Sequence, residues 1–204
     1  MNLAFCASLI AFIIFLSVRI KRQSKLQQNN EKSFWERERQ ANSVRRKSLD
    51  NLDYISIPLE SFPTHILQED VEVMDCIGII EHLTSQKIVN LTGYSNTDLK
   101  LEYGTANITV LTEYDQNYTL LVRTLQKWAD ILIAAGYVNE AAVLMEFAIT
   151  TRTDISRTYY QLADYYVSRR ESDRIQWLKD TANGLHSSNR NIIINRLKET
   201  YPDI

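Results

Sequence analysis

The stretch "VRTLQKWADILIAAGYVNEAAVLMEFAITTRTDI" occupies residues 122–155. Its apolar residues recur with a helical period. Leu125, Trp128, Ala129 and Leu132 stand at i, i+3, i+4 and i+7, which gathers them on one helix face. Gly136 breaks the pattern and suits the turn just past a helix end. Ala141, Met145 and Ala148 resume it at i, i+4 and i+7. The stretch therefore reads as two helices joined by a short turn. Alternating small and large residues have a packing logic: the alanines let backbones approach, and Trp128 and Leu132 fill the space between them.

The pattern returns 34 residues later. Tyr159 takes the place of Leu125, Leu162 of Trp128, Ala163 of Ala129 and Tyr166 of Leu132. Ile175 then stands for Ala141 and Ala182 for Ala148, although no glycine marks the second turn. On these residues, positions 118–200 resemble the tetratricopeptide repeat, a helix–turn–helix unit of 34 residues. Thr153 stands where that repeat usually carries proline.

The resemblance implies a right-handed stack of helical hairpins. It also implies a concave face, built from the first helix of each pair, that holds an extended peptide. Carried onto this chain, the contact positions are Arg123, Gln126, Asp130 and Ile133 in one repeat, and Arg157, Tyr160, Asp164 and Val167 in the next. Arg123 recurs as Arg157 and Asp130 as Asp164. Such an arginine pair would grip an acidic segment through charge-assisted hydrogen bonds. The alternative is ordinary solvated charge, worth ~0–1 kcal/mol per pair.

Two repeats, at 118–187, do not close a core, because about three are needed. A terminal helix at 188–204 is expected to cover the last pair, and residues 68–117 to form a helical N-terminal cap. Within the cap, Val73, Ile77, Ile80 and Leu83 make an amphipathic helix. "SQKIVNLTG" (85–93) reads as a short helix ended by Gly93. In "TGYSNTDLKLEYGTAN" (92–107), Ser95 and Asp98 have capping-box spacing and Gly104 ends the turns that follow. A short helix through Leu111 and Tyr114 is expected next, and a long one from Asp115 or Asn117. The loop holds more cap-competent side chains than one helix uses, so Asn96, Thr97 and Lys100 are candidate contact residues.

Residues 2–18 carry no charge, and "RIKRQSK" follows. No basic residue precedes the run, as a secretory signal requires. The run reaches the lower length of a transmembrane helix, ~17 residues, once Ile20 and a snorkelling Arg19 are counted. A single-pass anchor is expected at 1–20, with a cleaved or uncleaved signal as the alternative. Basic residues beside the span stay cytoplasmic, so the N-terminus is expected outside and the remainder in the cytoplasm. Residues 21–48 read as a charged stalk. From Arg19 to Lys47, ten basic residues meet three acidic ones, while the rest of the chain carries a net −9. Arg19, Lys21, Arg22 and Lys25 are expected to meet anionic lipid. Residues 49–67 hold Pro58 and Pro63 and read as an extended strap.

Five glycines and three prolines in 204 residues favour an all-α fold over a sandwich with its frequent turns. Cys6 and Cys76 define no disulfide framework and no zinc site. His65, His82 and His186 have no metal-ligand spacing. Neither a phosphate-binding glycine loop nor a nucleophile elbow is present. Three Asn-x-Thr triplets, at Asn90, Asn107 and Asn117, match the roughly two that chance supplies and do not argue for glycosylation. The acidic domain lacks the basic face of a nucleic-acid binder. The expectation is a membrane-anchored scaffold that binds a protein or peptide, without cofactor, metal or catalysis. The alternatives are a self-associating structural protein and an enzyme of unknown type. Partner identity and oligomeric state are not legible.

Overall fold

A computed structural model describes residues 3–202, with the side chains of residues 3–11, 13, 14, 18 and 26 outside that description. Every regular element among the described residues is helical, apart from an isolated antiparallel bridge between Tyr54 and Val89. The chain divides into two units: residues 1–47 with 95–108, and residues 48–94 with 109–204.

The first unit is built on α1 (Leu3–Ser43). It contains neither glycine nor proline, so nothing in the sequence breaks it. The stalk is thus helical as far as Ser43, and residues 44–48 leave the helix. Against its end lies α3 (Asn96–Tyr103). Ser95 caps α3 through the N–H of Asp98, and the Asp98 carboxylate accepts from the Ser95 N–H, completing the capping box. Gly104 ends the helix. Among the described residues, no helix is long and apolar enough to cross a membrane. The expected anchor at 1–20 falls largely outside the described side chains.

The second unit begins with the strap. Its backbone is extended around a single 3-10 turn (Leu59–Ser61). Ile55, Ile57 and Leu59 rest against the core, and Phe62 packs edge-on to Trp128 and Phe147. Then follow α2 (Val71–Thr84), α4 (Ile108–Ala134), α5 (Val138–Thr150), α6 (Ser156–Arg169), α7 (Ser172–Asn183) and α8 (Arg190–Thr200). Every residue matched in the two 34-residue copies is buried in one core: Leu125, Trp128, Ala129, Leu132, Ala141 and Ala148 in the first hairpin, and Tyr159, Leu162, Ala163, Tyr166, Ile175 and Ala182 in the second.

Three local expectations are corrected. Residues 85–93 form no helix: Ser85 already ends α2, and Ile88 and Val89 are extended, both nearly fully buried. Adjacent β-branched residues that must both be covered suit a strand, with its opposite faces; the Ile88 carbonyl accepts from the Ile55 N–H. Asp115 and Asn117 do not start a helix. Asp115 accepts from the Leu91 N–H and Asn117 donates to the Lys87 carbonyl, so both cap-type side chains serve the neighbouring loop while α4 runs through them. Nor do residues 68–117 form one cap, since α3 belongs with α1.

Candidate functional site

The residues singled out on the first helices of the hairpins are largely engaged with one another. Asp130 accepts from Gln126, from Gln161 and, at 3.1 Å, from Arg157. Gln126 also donates to Gln161 and accepts from the Thr158 hydroxyl. These groups cross-link α4 to α6. Tyr160 lies beneath the Arg196 guanidinium, 4.1 Å from its ring centre, and Asp164 accepts from the Tyr201 hydroxyl. Residues of α8 and the segment after it thus meet the second hairpin's share of the face. Arg123 is exposed on α4, Ile133 half-buried beside the core and Val167 exposed on α6.

The contact loop resolves within the first unit. Lys100 pairs with Glu38 at 2.9 Å, both about one-fifth exposed, and Arg37 pairs with Asp98. Fully buried Asn107 donates to the carbonyls of Lys47 and Tyr103 and accepts from Arg46. The polar side chains from 98 to 107 therefore dock α3 on the end of α1. Asn96 is exposed and Thr97 half-buried on the first turn of α3.

A cleft of about 390 Å³ opens elsewhere, wholly within the second unit. Four segments converge on it: Asp53–Ile55 of the strap, the loop carrying Asn90, Thr92 and Tyr94, the end of α5 with Arg152, and the end of α7 with Leu185 and His186. They are tied together. The Asn90 amide donates to the carbonyls of Thr151 (2.9 Å) and Arg152 (3.2 Å) and accepts from the Thr92 N–H. From beneath, the Tyr118 hydroxyl also donates to the Thr151 carbonyl, and burial holds that phenol protonated, its pKa well above the ordinary tyrosine value. At Gly93 (φ +93°) a Cβ would stand 2.7 Å from that of His186 and 2.8 Å from its carbonyl oxygen. Only glycine allows this approach between loop and α7 end.

Arg152 has φ +60°. It follows α5 in a Schellman arrangement, with the Thr153 N–H reaching the Ala148 carbonyl, at the position where glycine is favoured. A non-glycine residue held there costs about 1–2 kcal/mol. Among the described residues, no side-chain hydrogen bond or ion pair engages Asp53, Tyr94, Arg152 or His186. The cleft is a rigid frame with uncommitted polar groups on its walls.

None of these four residues stands out in sequence, because the walls come from segments as far apart as Asp53 and His186. The one legible trace is the polar loop, which contributes Thr92 and Tyr94. The sequon asparagines are likewise structural: each donates its amide to a backbone carbonyl. No family model matches the chain, and no curated protein or solved structure does either.

Proposed function

We propose that this chain is a membrane-anchored scaffold that holds a protein or peptide partner through its second, helical-hairpin unit. The observation that carries this reading is the 34-residue recurrence. Two successive hairpins bury the same positions, the arrangement by which repeat proteins build a continuous core and leave a long flank for binding. The likeness to tetratricopeptide repeats belongs to this proposal. Anchoring rests on the uncharged run 2–18 and on Phe12, Phe15, Leu16 and Ile20, whose side chains lie exposed on α1. Contiguous exposed apolar surface of this kind needs a cover, and lipid is the cover that the basic flank favours. The basic flank supports a cytoplasmic hairpin unit, because Lys and Arg beside a span stay on that side.

Photo-crosslinking of the full chain in its native membranes, with mass spectrometry of what is captured, tests the scaffold. Recovery of a defined partner, with adducts on the second unit, is expected; adducts confined to lipid or to α1 would refute it. Carbonate extraction that releases the full chain would refute the anchor.

A second reading is favoured by one observation. Val71, Met74 and Ile79 of α2 are 74%, 47% and 37% exposed. On this reading α2 meets its counterpart in a second copy. Light scattering of the full chain in detergent would detect the dimer, and Met74→Lys would abolish it.

A further inference from the structure

We propose that the cleft between the strap, the 90–94 loop and the ends of α5 and α7 is a recognition site for an extended peptide segment presenting a carboxylate, with Arg152 as its anchoring donor. This rests on the scaffold reading and names the chemistry of its partner.

The argument begins with what surrounds the opening. Both helices that end there, α5 and α7, present their C-termini. Carbonyl ends carry partial negative charge, and Asp53 adds a full one. That field opposes any anion, and a dianionic phosphate about twice as strongly as a singly charged carboxylate, which the single Arg152 charge can match. Against it stands one fixed positive charge, Arg152, with the His186 imidazole as a further hydrogen-bonding group. The complementary ligand carries one oxyanion for Arg152 and an N–H donor for the Asp53 carboxylate. A peptide bearing an acidic group has both, and Tyr54, Tyr94 and Leu185 give its neighbouring side chains apolar wall.

The state of the Arg152 side chain points the same way. Arg152 occupies a left-handed position that glycine would fill at lower energy, and its side chain is exposed and engages nothing in the described structure. The cross-ties from Asn90 hold the Arg152 backbone, so its guanidinium is presented from a rigid base.

The test uses the full chain in detergent, labelled, against three immobilised octapeptide libraries. The first has both ends capped and one Glu scanned through otherwise uncharged positions. The second replaces that Glu with Gln. The third is the Gln library with a free C-terminal carboxylate. Preference of about tenfold or more for the first over the second assigns a side-chain carboxylate; the same preference for the third assigns a chain terminus. Arg152→Gly should erase either preference while the protein stays folded, because glycine suits that conformation; Arg123→Ala should not. Equal binding of all three libraries, or an unchanged preference in Arg152→Gly, overturns the carboxylate assignment and leaves the scaffold reading standing. No binding to any library overturns the cleft as a peptide site, while the scaffold reading is judged separately by the capture of partners in membranes. Inhibition of peptide binding by inorganic phosphate more strongly than by acetate would also overturn it.

Discussion

At the scale of single residues, the two hairpin turns are instructive. Gly136 follows α4 with φ +89°, and 34 residues later Arg170 follows α6 with φ +61°. The second turn keeps the backbone shape although its residue has changed, because the Glu171 N–H still reaches the Tyr166 carbonyl. Sequence reading saw only the missing glycine. Arg170→Gly is therefore expected to stabilise the protein by about 0.5–1 kcal/mol, seen as a higher urea midpoint with unchanged slope. Asp98 offers a pH test. Its pKa is held below the ordinary 3.8, first by the Ser95 hydroxyl, then by the Ser95 N–H and by Arg37. A depressed folded-state value contributes stability that is full above the ordinary carboxylate range and is lost as pH falls through the folded value. Urea midpoints measured from about pH 5 downward should fall for the parent and fall less for Asp98→Asn. An identical acid limb in the two proteins would contradict this.

Elements are joined by two kinds of contact. Small residues set helix separation: Ala129, Ala141, Ala148, Ala163 and Ala182 are at most 2% exposed. Ala163→Leu should destabilise the second unit by about 1–3 kcal/mol, whereas Ala134→Leu, on an exposed end of α4, should change little; calorimetry in detergent compares the two. Polar networks then fix register. Arg174 donates to Glu146 and to the Tyr166 hydroxyl, which itself donates to Glu146, so α5, α6 and α7 share one knot. The 34-residue period was legible because it belongs to the apolar side chains of each helix. The knot was not, because its members have no fixed spacing and matter only once the helices meet.

On the scale of the whole molecule, the chain does not segregate into consecutive domains. Residues 95–108 leave the helical hairpin region to complete the unit built on α1. Cutting the chain before residue 49 removes the Glu38 partner of Lys100 and the Arg46 and Lys47 partners of Asn107, both less than half exposed in the intact protein. In a 49–204 fragment, the amides of residues 96–107 should exchange hydrogen much faster than in the full chain, while those of α4–α7 stay protected. Hydrogen-exchange mass spectrometry reads both segments at once. Unchanged protection of 96–107 would mean that α3 is stable without α1.

By itself the sequence determined the helical class, the positions of the hairpin helices, the capping box at Ser95 and the strap. These are local: they depend on spacing of a few residues, on propensity and on proline. Tertiary structure alone decided the rest. It bridged Val89 to Tyr54, ran α4 past Asp115 and Asn117, tied the sequon amides to backbone carbonyls, docked α3 on α1 and brought Asp53, Tyr94, Arg152 and His186 to one cleft. Each of these outcomes depends on which distant backbone group satisfies a polar atom, or on which distant surface covers an apolar one. That choice is a property of the assembled chain, and no window of neighbouring residues contains it.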